Sequence, residues 1–376
     1  MTSPLPAPFE TRIEGVRQAI KERGIQCLLV SSRDNVRYLV GFAGSAGWVL
    51  VSETDIVLAT DARYIEQVRR DLGASCARLA DAGLNAFTVS YVATCETAVL
   101  GFEAEHLSYA GVKTLENAIE LCGSRCEVRP TDGIVEGLRA VKDDGELTAM
   151  ARAASLADGA LDYVRTIIRC GMTERQLAWE IERWMREHGS GPVPFGIIVA
   201  SGPNAALPHA TPGERPFAPG EPIVIDLGAT WGGYCSDLTR TLFLQRMCSP
   251  FDAVYRTVLA AHEAALHRAR TGMRMAEVDE LARSVIREAG LADYFTHGLG
   301  HGVGLEVHER PAVSSRSTEL LLDGMVYTIE PGVYLPGQGG VRIEDTVVMR
   351  DGMPQSFAHS GKEDPIIKKH SGPHRA

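Results

Sequence analysis

EPIVIDLGATWGGYCSDLTRTLFL, residues 221–244, reads as two apolar strands joined by a turn at Trp231-Gly232-Gly233. In the first strand Asp226 shares a face with Val224, so a carboxylate stands where the period-2 pattern asks for an apolar side chain. Asp237 repeats the anomaly at the start of the second strand. Two later segments do the same: MVYTIEPGVYL (325–335) carries Glu330, and GGVRIEDTVVM (339–349) carries Glu344 beside Arg342. The expectation is four acids converging on one sheet. A buried carboxylate without a partner costs several kcal/mol, so such acids either pair with local arginines such as Arg240 and Arg342 or hold a metal ion.

Between these acid-bearing segments lies HGLGHGVGLEVHE, residues 297–309, with three histidines and four glycines. Hard oxygen ligands together with an imidazole suit Mn²⁺, Co²⁺, Zn²⁺ or Fe²⁺. Two such ions bridged by carboxylates and a water are a hydrolytic device. The glycines miss the G-x-G-x-x-G register of dinucleotide-binding loops, because Val303 and Leu305 stand where the last glycine belongs. Their expected use is room for backbone passing close to a substrate.

Two other motifs are decoys. HEAALH (262–267) resembles the H-E-x-x-H of zinc proteases, but histidines five apart lie about 140° apart around a helix and cannot share a ligand face. A surface helix is expected there. GFAGSAG (41–47) is neither a phosphate loop nor a nucleophile elbow, and is expected to be a tight turn.

The 376-residue chain is long enough for two domains. Phe9 to Arg23 carries Ile13, Val16 and Ile20 at helical spacing, followed by strand-like QCLLVSS, GWVLVS and DIVLATD and a helix at YIEQVRRDL. The turn-rich stretch from Pro130 to Gly145 precedes a long helical segment from Glu146, and places the boundary between a first domain, 1–135, and a second, 136–376. Within the second, GMTERQLAWEIERWMREHG (171–189) and GMRMAEVDELARSVIREAG (272–290) have equal length and matching ends, with Thr173 and Gln176 placed for a capping box. A pseudo-twofold repeat of helix pairs flanking a sheet is expected.

The net charge of −10 argues against nucleic acid as a partner, since such binders present basic patches. No apolar run approaches the roughly 20 residues of a membrane span. The N-terminal stretch lacks a secretory pattern, so a cytoplasmic location with no membrane partner is expected. The eight cysteines form no C-x-x-C pair and are expected to be reduced, mostly buried thiols.

VIDLGATWGGYCSDLTRT, HGLGHGVGLEVHE, TIEPGVY and GGVRIEDT, in this order, resemble the metal-binding segments of the pita-bread metallopeptidases, the family of methionine aminopeptidase, aminopeptidase P and prolidase. The N-terminal stretch is similar to the smaller α/β domain of the creatinase, prolidase and aminopeptidase P branch. The resemblance implies an α+β architecture, with a C-terminal pita-bread domain behind a creatinase-type N-terminal domain. It implies two divalent ions, Mn²⁺ foremost with Co²⁺ or Zn²⁺ as alternatives, held by Asp226, Asp237, His301, Glu330 and Glu344, with Asp237 and Glu344 bridging. It assigns Glu330 to proton relay, His308 to the oxyanion, His209 and His297 to the proline side of the substrate, and Arg342 to support of the bridging acids. Glu306 and Glu309 are expected to bind no metal. The implied reaction is hydrolysis of the N-terminal Xaa-Pro bond of proline-containing peptides, in a homodimer. Prolidase activity on Xaa-Pro dipeptides is the alternative. Ala312, where prolidases of this type often carry an arginine, favours the aminopeptidase. A peptide-binding module without catalysis and creatinase-like C–N hydrolysis are the remaining readings.

Overall fold

Ile13, Val16 and Ile20 bury one stripe of the first helix, α1 (Ala7–Glu22), and Gly24 at φ 63° reverses the chain behind it. The computed structural model describes residues 7–73 and 76–368 and divides into two units, one ending at Arg139 and one beginning at Ala140. The first unit continues with β1 (Cys27–Val30), α2 (Arg33–Val40), β2 (Gly47–Ser52), β3 (Ile56–Thr60), α3 (Ile65–Leu72), β4 (Ala77–Leu79), α4 (Leu84–Thr94), β5 (Val99–Glu103), α5 (Tyr109–Leu121), β6 (Glu127–Thr131) and α6 (Ile134–Arg139). Its sheet runs β4-β3-β2-β1-β5-β6. The β1–β2 and β2–β3 pairs are antiparallel, while β1–β5, β5–β6 and β3–β4 are parallel. GFAGSAG forms the connection from α2, capped by left-handed Gly41, into β2.

The second unit begins with α7 (Asp144–Ile167) and α8 (Glu174–Glu187), then β7 (Ile198–Ser201), β8 (Pro222–Leu227), β9 (Thr230–Trp231), β10 (Tyr234–Cys235) and β11 (Leu238–Leu244). Helices α9 (Phe251–Arg268) and α10 (Met275–Glu288) follow. The last described elements are β12 (Gly300–Gly302), β13 (Glu309–Val313), β14 (Val326–Ile329), β15 (Gly332–Leu335), β16 (Gly339–Arg342), β17 (Asp345–Arg350), β18 (Met353–Ser356) and β19 (Ile366–Ile367).

The repeat is physical. Leu177, Ile181 and Met185 on α8 and Val278, Ala282 and Ile286 on α10 occupy the same three positions of helices of equal length, all fully buried. Each large apolar side chain of this kind contributes about 1.5–3 kcal/mol by leaving water. The approaches match as well: Gly171 and Met172 exchange backbone hydrogen bonds with Phe217, as Gly272 and Met273 do with Leu321. The Thr173–Gln176 capping box is present, and Arg274 and Glu277 stand at the equivalent positions of α10. Each half packs its own apolar core, one under α7–α8 and one under α9–α10.

Three expectations need correction. The four acids do not share one sheet: β19-β11-β8-β7, β13-β12-β14-β17-β18 and the β15–β16 hairpin are separate. Only Asp226 lies inside a strand, whereas Asp237, Glu330 and Glu344 occupy the breaks before β11, after β14 and before β17. The helix at HEAALH is not a surface helix. Its His262 is wholly buried, because Val258, Ala261, His262 and Ala265 form one inward stripe, and of the two histidines His267 is the exposed one. The cysteines are all free, but only Cys27, Cys76 and Cys235 are buried, and Cys95, Cys122 and Cys170 are exposed.

Candidate active site

Asp226 sits mid-strand opposite Thr239 of β11. Glu344 is brought alongside by its backbone N–H donating to Thr239 O at 3.1 Å, and Asp237 by Thr346 Oγ1 donating to its carbonyl at 2.8 Å. Glu330 is placed by its N–H donating to Leu299 O at 2.9 Å, and His301 by β12. One ligand atom each from Asp237, His301 and Glu344 lies within 4.8 Å of the others. His301 Nε2 is 3.3 Å from Glu330 Oε1 and 3.6 Å from Asp237 Oδ2. His301 Nδ1 lies 3.1 Å from Gly302 O and can only donate to it, which leaves Nε2 as a lone pair facing the acids.

Burial drives the electrostatics. Asp237 is held well above the usual carboxylate range, first by burial and then by the negative Glu344, Asp226 and Glu330. Glu344 is raised in the same way, by burial and then by Glu330 and Asp226. Glu330 is pushed up to about 7 by burial, with the Arg342 guanidinium opposing. A cluster of buried acids that suppress one another's charge is a site short of positive charge. Arg342 supplies one cation, donating to Asp226 Oδ2 at 2.6 Å, but Asp226 Oδ1 remains buried with no hydrogen-bond partner. That oxygen, the lone pair of His301 and the remaining carboxylates form the hard oxygen and imidazole donor set that divalent ions take. The residues fit a metal centre.

The centre lies at the wall of a cavity of about 450 Å³, whose apolar lining includes Phe195, Ile198, Pro208 and Val307. His209, His297 and His308 all line it. His308 is exposed at the cavity and packs edge-on against His301, with ring centroids 4.2 Å apart; desolvation and then the neighbouring His301 lower its pKa. His209 stands exposed at the mouth. His297 differs: its Nδ1 donates to Gly298 O at 2.7 Å, and its Nε2 accepts from Tyr334 Oη at 2.9 Å. The direction follows from Arg342, which can only donate, and does so to the same Tyr334 oxygen at 3.0 Å. Both ring nitrogens of His297 are thus engaged, and burial pushes its pKa down to about 4, so the ring stays neutral.

Metallopeptidase family M24 matches residues 148–351, and the creatinase/prolidase N-terminal domain matches residues 12–141. The chain belongs to metallopeptidase family M24. An uncharacterized peptidase of Bacillus subtilis, YqhT, is 36% identical over 352 residues, spanning 94% of this chain and 99% of that protein. Among solved structures, the Xaa-Pro dipeptidase from Bacillus anthracis superposes with a TM-score of 0.91 at 36% identity, covering 95% of this chain and 99% of its own. The X-Pro aminopeptidase from Thermotoga maritima superposes with a TM-score of 0.85 at 34% identity over 94% and 99%. The M24 domain is the pita-bread fold that the sequence motifs imply, preceded by the creatinase-type domain.

The supporting polar side chains were not visible in the sequence. Thr239 Oγ1 donates to Glu344 Oε2 at 2.6 Å, Thr328 Oγ1 to Glu330 Oε1 at 3.1 Å, and Tyr334 joins Arg342 to His297. The available signal was a polar residue two positions from each acid-bearing break, too ordinary in a strand to stand out. Glu309 points away from the acids and pairs with Lys142 at 2.8 Å. Arg240, weighed as a partner for the acids, pairs instead with Asp345 at 2.7 Å.

Proposed function

We propose that this M24 chain hydrolyses the peptide bond before proline, removing the N-terminal residue from Xaa-Pro peptides. The observation that carries the reading is the convergence of the Asp237, His301 and Glu344 ligand atoms within 4.8 Å, on the wall of the same cavity that His209 and His308 line. Two divalent ions, proposed as Mn²⁺, held by Asp226, Asp237, His301, Glu330 and Glu344 with Asp237 and Glu344 shared, would supply carbonyl polarisation and a water acidic enough to react near neutral pH.

The chain's own residues do the rest. Glu330, beside His301 and anchored by Thr328, accepts and returns the proton at its carboxylate. His308 offers a neutral ring N–H to the oxygen on which negative charge develops. His209 holds the substrate at the mouth, and His297, its nitrogens spent on Gly298 and Tyr334, presents a fixed ring edge to the proline side. Arg342 holds Asp226 in place through a single 2.6 Å bond while Tyr334 and Thr239 hold Arg342.

A dipeptidase must recognise the carboxylate that directly follows proline. Among the described residues lining the cavity, the only guanidinium or ammonium is that of Arg342, already bound to Asp226, Tyr334, Thr239 and Pro208 O. This supports the aminopeptidase. The dipeptidase is favoured by the name of the Bacillus anthracis relative. Steady-state hydrolysis of Xaa-Pro, Xaa-Pro-Yaa and a longer Xaa-Pro peptide with Mn²⁺, Co²⁺ or Zn²⁺ decides between them. Turnover of the longer peptides is expected, turnover of Xaa-Pro alone would move the assignment to the dipeptidase, and no turnover of any would overturn both.

A further inference from the structure

Behind the cavity a lysine and a glutamate meet out of water. Lys142 lies just before the Asp143 cap of α7, and its ammonium donates to Glu309 Oε1 at 2.8 Å and to Ala140 O at 3.4 Å, with side-chain exposures of 0% and 4% for the pair. A buried ion pair is a poor way to gain stability, because desolvation offsets most of the attraction; fixing one geometry is its better-attested use. What this one fixes is a turn. Glu309 begins β13 opposite Gly302 of β12, and its carboxylate lies so close over Gly304 that a Cβ there would stand 2.2 Å from Oε1. The Gly304 backbone is itself bound to Glu306 O and Cys235 N. The turn therefore runs from His301 to His308 with both feet pinned, and His308 is the residue immediately before the pinned glutamate.

We infer that the Lys142–Glu309 pair is a positioning element that holds His308 edge-on against His301 and so sets kcat. Neither residue touches the cavity. The inference rests on the role given to His308 above. Without the ammonium, the buried Glu309 carboxylate loses its cation and keeps the weaker Glu306 N–H at 3.4 Å on its other oxygen, the turn shifts to reach water, and the His308 ring leaves its place.

The test is a double-mutant cycle on the full chain loaded with Mn²⁺. Lys142→Met is expected to lower kcat about 10–100-fold, the range typical of residues that orient a metal site from behind. KM should stay within about twofold, the metal content of the purified protein should match the wild type, and Lys142→Arg should recover part of the loss. In a His308→Ala background, Lys142→Met should cost less than about twofold. A purely structural role lowers kcat equally in both backgrounds, and that result, or an unchanged kcat in Lys142→Met, overturns the inference. Glu309→Gln, which keeps the shape, is read through the same cycle where Lys142→Met does not fold. Imidazole NMR signals of His308 in Zn²⁺-loaded protein separate the two ideas: a wild type inactive on every Xaa-Pro peptide sinks the function, while unmoved His308 signals in the variant sink the positioning.

Discussion

At Asp237 one side chain carries two opposed energetic roles. Without a cation, its buried carboxyl group faces Glu344, Asp226 and Glu330; with one, it would be a shared ligand of the proposed centre. Asp237→Asn is therefore expected to raise the melting temperature in EDTA, by removing one of several like charges, and to abolish the rise that Mn²⁺ gives the wild type. Activity should fall at least about a hundredfold. Thermal melts with EDTA and with Mn²⁺ check both signs, and a variant that Mn²⁺ stabilises as much as wild type would refute the ligand role. Arg342→Lys belongs to the same scale: a single ammonium cannot reach Asp226, Thr239, Tyr334 and Pro208 O together, so kcat/KM should drop about 10–100-fold with folding retained. The acids were legible in the sequence because a charge inside an apolar run breaks a pattern. Thr239, Thr328 and Tyr334 were not, because threonine and tyrosine are the residues strands ordinarily carry.

Among the elements, β12 shows where the glycines of HGLGHGVGLEVHE are used. A Cβ on Gly300 would stand 2.0 Å from Thr328 O, and one on Gly302 2.1 Å from Arg310 O. Both glycines let β12 approach its neighbouring backbone, so room for a substrate is not their main use, although Gly300 also lines the cavity. Gly300→Ala must push β12 off β14 and carry His301 with it. The expected cost is about 1–3 kcal/mol in urea unfolding, together with weaker Mn²⁺ binding; normal Mn²⁺ affinity would contradict this. Helix α9 gives a pH prediction. Burial pushes His262 from its ordinary 6.5 down to about 3, with Asp345 3.4 Å away only partly opposing. Below pH 6.5 the unfolded chain binds a proton that the folded chain refuses, so this group's stabilisation is complete above 6.5 and drains away as pH falls toward 3. Between pH 6 and 4.5 the wild type should lose about 1.4 kcal/mol more per pH unit than His262→Leu. Equal slopes in urea titrations at several pH values would show that His262 does not set this dependence. The burial of His262, against the surface helix expected there, follows from its helical spacing with Val258, Ala261 and Ala265, a stripe that the comparison with H-E-x-x-H left out of account. The strand breaks at Asp237, Glu330 and Glu344 were not, because local alternation continues across a bend that the packing of separate sheets imposes.

Over the whole molecule, the parts most legible in sequence are those that repeat. Two Gly-Met pairs announced α8 and α10, and the structure repeats even their backbone bonds to Phe217 and Leu321. The first unit was less legible: β1, β2 and β3 are continuous apolar runs, whereas β4 has three residues and β6 carries Pro130, tolerated because β6 is an edge strand. The repeat also decides how the molecule answers to metal. Asp226 and Asp237 follow α8, while His301, Glu330 and Glu344 follow α10, so the proposed centre, once loaded, would tie the two halves of the second unit together, and the first unit supplies none of the five proposed ligands. At free Mn²⁺ about 100 times its Kd, mass action adds about 2.7 kcal/mol to the folded state. Hydrogen exchange followed by mass spectrometry should then slow in peptides covering β8, β11, β12, β14 and β16 and remain unchanged in β1, β2, β3 and β5. Protection confined to one half of the repeat would mean that the ligands do not act as a single centre, and equal protection of the first unit would mean that it shares the cooperative unit the metal stabilises.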